Sequence, residues 1–219
     1  MKTSDLKYFF EAAKKLKRQK ILLHSFWNVV IEDSVIQYHY AGITIKQHHP
    51  GLPKELIVIP FDKIMSILSK YKDHPLSITK DGEDIEIRVN NTKIKTIQAP
   101  NEVCIPNDSF EPFTNITASD VNSLLTAEKF TADDELRPVM EGVLLSKSHI
   151  VGCDRSAMYF NKRSKEDGDG EDVIIPKQIV RMLQLNKSYV LKKSKEPKES
   201  NLLYQFDMGN GFSISFLAI

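Results

Sequence analysis

VIIPKQIVRMLQL, residues 173–185, runs from a β-branched stretch through Pro176 straight into a helical pattern. Proline is tolerated where a helix begins, because its missing N–H has no intrahelical partner there, so Pro176 reads as the joint between a strand and a helix. The stretch has a twin. Residues 56–68 read LIVIPFDKIMSIL, again an apolar strand, an Ile-Pro step at Pro60 and apolar residues at helical spacing.

A second pair of elements repeats at almost the same distance. Ser4-Asp5-Leu6 opens a helix with Leu6, Phe9, Phe10, Ala13 and Leu16 on one face, and Ser119-Asp120-Val121 opens another with Val121, Leu124 and Leu125. Both start on small polar residues of the kind that cap helix N-termini. The offsets are 115 residues from Leu6 to Val121 and 116 from Pro60 to Pro176. One domain plan is therefore written twice. Pro100, Pro106 and Pro112 punctuate the join, which places the two domains at residues 1–112 and 113–219.

Around these anchors the first half reads as a helix over Ser4–Gln19, alternating strands over Ile21–Glu32 and Val35–Gln47, the strand-Pro-helix unit to Lys72, and strands at 76–79, 85–89 and 93–97 with an Asp81-Gly82 turn. Trp27 is expected in the core. The second half reads as a helix over 118–130, strands at 150–153 and 157–161, the second strand-Pro-helix unit, and strands at 189–192, 202–207 and 212–218. The fold class is α+β, with antiparallel sheets and two helices per domain.

Composition is that of a globular protein, with 41% hydrophobic and 27% charged residues. Cys104 and Cys153 fall in different halves without a metal or redox pattern, which suits a reducing cytoplasm. No apolar run reaches the ~20 residues of a membrane span, and Phe9 and Phe10 sit among charges rather than in a signal core.

The formal net charge is only +1, but it is unevenly placed. The four expected helices, at 4–19, 61–72, 118–130 and 176–187, carry +3, +2, −1 and +3, which leaves −6 for everything else. Helices enriched in Lys and Arg make a surface that favours phosphates. The plainer alternative is that basic residues are good helix formers on solvated faces. Nothing in the sequence reads bases, so contact with nucleic acid would be to the backbone.

Walker A, GxGxxG, GxSxG and HExxH patterns are absent, and no paired-carboxylate signature stands out, so no catalytic residues are assigned. His48-His49 lacks a third ligand at supportive spacing. The acidic run 167–172 lacks the glycine and glutamate of a calcium loop. No metal and no cofactor are expected.

RPVMEGVLL at 137–145, IVGCDR at 150–155 and VIIPK at 173–177 together, in that order and spacing, resemble the middle domain of the bacterial DNA polymerase III beta subunit, a DNA sliding clamp. The resemblance is clearest over 113–185 and fainter before it. It implies duplicated clamp domains, with sheets outside, helices on the inner face, and a ring closed around double-stranded DNA. The beta subunit has three such domains, so a two-domain chain implies a homotrimeric ring with heterologous, head-to-tail interfaces. Edge strands could pair across those interfaces. The implied function is a polymerase processivity factor in the cytoplasm, with DNA polymerase and a clamp loader as partners.

On that reading the phosphate-facing candidates are Lys14, Lys15, Lys17, Arg18, Lys63, Lys70, Lys177, Arg181 and Lys187. The pocket for a partner's apolar peptide would involve Met140, Val151, Cys153, Arg155 and Met158. Asp154-Arg155-Ser156-Ala157 departs from the family's usual Asp-Gly-His-Arg. Two rivals remain, a clamp-derived adaptor that does not encircle DNA and a hydrolase acting on nucleic acid.

Overall fold

The computed structural model describes residues 1–17, 28–40, 42–100, 109–133, 137–163, 171–195 and 202–219. Trp27, Cys104 and Arg18 lie outside the described residues, as does most of the acidic run at 167–172. The chain forms two compact units, one of Met1–Pro106 with Met208–Ser213, the other of Asn107–Asp207 with Ile214–Ile219.

In the first unit a 3-10 turn at Thr3–Leu6 leads into α1 (Lys7–Lys17), followed by β1 (Asn28–Glu32), β2 (Val35–Tyr40), β3 (Ile43–His48) and β4 (Ile57–Pro60). Then come α2 (Phe61–Leu68), β5 (Leu76–Asp81), β6 (Asp84–Val89) and β7 (Thr92–Ile97). Four strands lie in the antiparallel order β4-β1-β2-β3 and three in the order β5-β6-β7.

The second unit repeats this plan with one strand added in front. Its elements are β8 (Phe110–Ile116), α3 (Ala118–Ala127), β9 (Gly142–Leu145), β10 (His149–Cys153), β11 (Met158–Lys162) and β12 (Val173–Pro176). After these follow α4 (Lys177–Val180), β13 (Tyr189–Ser194), β14 (Leu203–Gly209) and β15 (Phe212–Leu217). The order β12-β9-β10-β11 matches β4-β1-β2-β3 strand for strand, and β13-β14-β15, with β8 added beside β13, matches β5-β6-β7. The counterpart of β8 in the first unit has shrunk to one bridge, Lys2 with Pro75. Within the second unit the plan is itself double: a strand, a helix and three strands, twice.

Both strand-Pro-helix joints are present, with one refinement. Pro60 and Pro176 are N-cap residues in extended conformation (ψ 128° and 137°) and also the last residues of their strands, rather than the first of their helices. Pro176 pairs with Gly142, where a side chain would meet Ile174 Cγ2 at 2.4 Å. The two following helices differ: α2 has eight residues and α4 only four, so the helix expected over 176–187 is one turn followed by a loop.

Three further expectations are corrected. The strand read across Val35–Gln47 is two strands, turned at Gly42, whose φ of 76° suits glycine. Pro112, read as linker, lies inside β8, opposite Lys192 where the register shifts. A ladder irregularity at a sheet edge is where a strand tolerates proline. Glu128–Phe130, read as the end of a helix, tightens into a 3-10 turn.

The cores follow the apolar periodicity. α1 buries Phe9, Phe10, Ala13 and Leu16 against β2 and β3, with Leu6 buried in the turn before it, and α2 buries Phe61, Ile64 and Ile67. Burial of side chains of this size contributes roughly 1.5–3 kcal/mol each, which is what holds an eight-residue helix that water alone would not. In the second unit the buried pair Asp120–Arg163 (3.6 Å) ties the start of α3 to the end of β11. Arg163 also donates to the carbonyls of Asn115 (2.9 Å) and Ser146 (3.1 Å). The first unit has Asp5 and His49 at the matching positions, 3.4 Å apart and half-exposed.

Candidate functional site

The helices position most of the cations singled out from the sequence. In α1 the apolar side is turned into the core, so Lys14 and Lys15 are exposed; Lys17 belongs to the same helix. Lys63 in α2 and Lys70 just after it are exposed as well. These side chains share a cause: each helix spends its apolar stripe on the sheet, and the lysines occupy what is left.

The second unit is different. Lys177, expected to face phosphates, is instead buried, with 5% of its surface exposed. Its ammonium donates to the Ala132 carbonyl (3.0 Å) and is paired with the Asp133 carboxylate. That hydrogen bond and charge hold Asp133 below the usual carboxylate range. A buried ammonium needs such partners, and these keep Lys177 from a surface role. Arg181 is exposed, but its guanidinium is bound to Glu128 (Nε to Oε1 2.6 Å). Lys187 is exposed in the loop after α4. That loop is fastened to α3 by a reciprocal pair: Asn122 Nδ2 donates to Asn186 Oδ1 (3.0 Å), and the Asn186 N–H donates to Asn122 Oδ1 (3.2 Å).

The second candidate group assembles on a strand face. In β10 and β11, Cys153 pairs with Met158 and Val151 with Phe160, so these four side chains share one side of the sheet. Leu144, paired with Val151, and Ile174, paired with Leu144, continue that side across β9 and β12. Met158 and Phe160 are 65% and 56% exposed. The opposite side, with Gly152 and Asn161, lies against α3: a side chain at Gly152 would stand 2.1 Å from the Ala127 carbonyl oxygen, and Asn161 donates to Ser123 Oγ (2.6 Å). Phe160 and Leu144 were not singled out from sequence, although alternation in MYFNK puts Phe160 on the side of Met158.

Arg155 is exposed in the turn between β10 and β11. Asp154 builds that turn by accepting the N–H groups of Ser156 and Ala157, both at 2.7 Å, and the Ser156 hydroxyl at 3.0 Å. These bonds hold its carboxyl below the usual aspartate range. Met140 lies in the 3-10 turn Pro138–Glu141, where its carbonyl accepts the Ala132 N–H (2.9 Å).

Among the described residues no three His, Cys, Asp or Glu side chains gather closely enough to hold a metal ion. His49 is engaged locally, accepting the Gly51 N–H at Nδ1 (3.0 Å) with Nε2 towards Asp5. No helix among the described residues is long and apolar enough to cross a membrane.

No protein-family model matches the sequence, and no curated protein sequence is similar to it. Solved structures are similar. A chain from Eubacterium rectale ATCC 33656 assigned as a DNA polymerase III beta subunit superposes with a TM-score of 0.80 at 12% identity over 100% of this chain and 63% of that one. The DNA polymerase sliding clamp of Pseudomonas aeruginosa gives 0.75 at 13%, over 100% and 63%. The DNA polymerase beta subunit of Streptococcus pyogenes gives 0.73 at 13%, over 97% and 62%. The fold is thus the sliding-clamp fold anticipated from the 137–177 motifs, and the chain spans less than two thirds of the length of these structures.

Proposed function

We propose that this chain is a processivity clamp that encircles duplex DNA and tethers a DNA polymerase. The observation that carries the reading is the clamp fold, in which the first unit's helices expose Lys14, Lys15 and Lys63, with Lys70 exposed just after α2. Lysines on solvated helix faces attract the phosphate backbone without reading sequence, as sliding requires. Arg181 and Lys187 would add to this surface in the second unit, whereas Lys177 is committed to the fold. No catalytic step is part of the reading.

The ring would be a homotrimer closed head to tail. Two edges support this. β7 ends one sheet of the first unit with Ile97 66% exposed, and β11 ends one sheet of the second. An edge of one kind in each unit is what a heterologous, self-closing contact between copies needs. The face of Val151, Cys153 and Met158, with Arg155 at its end, would receive the apolar peptide of a polymerase or clamp loader.

Light scattering tests the assembly. The expected mass is three times 25.0 kDa, falling to the single chain when Ile97 on the β7 edge is replaced by Asp. A wild-type chain that stays monomeric at high concentration would leave the adaptor reading in its place.

A further inference from the structure

A cleft of about 580 Å³ opens in the first unit between the start of α1 and the end of α2. Phe10, Met65, Leu68 and Tyr71 contribute its apolar lining, and Lys7, Lys14 and Lys72 its positive charge. That volume lies within the roughly 300–1,000 Å³ of small-molecule sites, which combine an apolar lining with a few polar groups. The carboxylates present already have partners. Glu11 lies 3.8 Å from Lys7, and Asp73 accepts the Ser4 hydroxyl (2.7 Å) and Lys2 Nζ (3.4 Å), which hold it below the usual aspartate range.

The chain supplies its own comparison. By the offset of 116 between the two prolines, Met65, Leu68 and Tyr71 correspond to Arg181, Gln184 and Lys187. In the second unit these positions are polar, and Arg181 binds Glu128 across to the end of α3. In the first unit the same positions are Met, Leu and Tyr and line a cleft, with the Tyr71 hydroxyl held by Thr92. The two copies of one plan have diverged at this place, from a polar bridge to a lined volume.

From this we infer that the first-unit cleft binds a monomeric amphipathic acid, its apolar body against Phe10, Met65 and Leu68 and its anionic head at Lys14. A concave volume of this size takes a single small molecule rather than a bilayer surface. The site does not depend on the chain encircling DNA.

Calorimetric titration of the full chain with laurate, below its micelle concentration, tests the inference. One saturable site per chain is expected. Affinity should fall about ten-fold for Lys14→Ser, an exposed position that leaves the fold intact, and for Met65→Gln, which keeps side-chain length. Dodecanol, with the same tail and no charge, should bind about ten-fold more weakly, and Lys187→Ser in the second unit should bind like wild type. Absence of saturable binding overturns the inference, as does binding that neither cleft substitution weakens. DNA retention is measured separately, so failure here leaves the clamp reading standing.

Discussion

At Gly152 the missing side chain lets α3 lie on β10, because a Cβ would sit 2.1 Å from the Ala127 carbonyl oxygen. Backbone cannot swing aside as a flexible side chain can. Gly152→Ala should therefore cost about 1–3 kcal/mol in a chemical denaturation series, and an unchanged midpoint would contradict this packing. Asp154 acts two residues further on. Because its folded-state pKa is depressed by the Ser156 and Ala157 N–H groups, its contribution to the turn is present above the unfolded aspartate pKa and is lost as pH falls through the lower folded value. The Ser156 and Ala157 amide resonances should move only at pH below the usual aspartate range, and movement centred within that range would count against the turn as described. Neither role is legible in the sequence. Gly-Cys-Asp shows a strand end, but not which carbonyl the glycine must clear.

At the scale of elements, the apolar periods and the repeated Ile-Pro steps were enough to place both strand-Pro-helix joints and most strands. What they missed has local causes. The Val35–Gln47 run alternates on both sides of Gly42, so period alone reads one strand where a turn divides two. Helical spacing continues past Val180, yet α4 stops after four residues and Arg181 bonds to Glu128, a pairing no local pattern contains. Lys177 is the instructive case: a cation beside Pro176 looks like surface until Ala132 and Asp133, over forty residues earlier in the chain, close over it. The difference is measurable. Lys14→Glu with Lys63→Glu should weaken DNA association and lower the slope of log affinity against log salt, by about one for each phosphate that is no longer neutralised. Lys177→Met should leave that slope unchanged while altering stability. If Lys177→Met shifts the slope as much as the charge reversals do, the assignment of the phosphate surface is wrong.

At the scale of the whole molecule, duplication organises everything else. The strand orders repeat, the Asp5–His49 pair stands where Asp120–Arg163 stands, and the units differ in particular places: the first has an open cleft, the second an apolar strand face and a braced turn. The sequence carried this duplication in two offsets, 115 and 116 residues, and it carried the clamp resemblance in the order of three short motifs. It could not show which edges stay open, because strand order is set by pairings between distant segments. The central claim is a topological link to DNA, and one measurement addresses it directly. Protein assembled on a closed circular duplex with a clamp loader and washed in high salt should be retained, then released when a single cut linearises the circle. Equal retention on circular and linear DNA, or none on either, would contradict it.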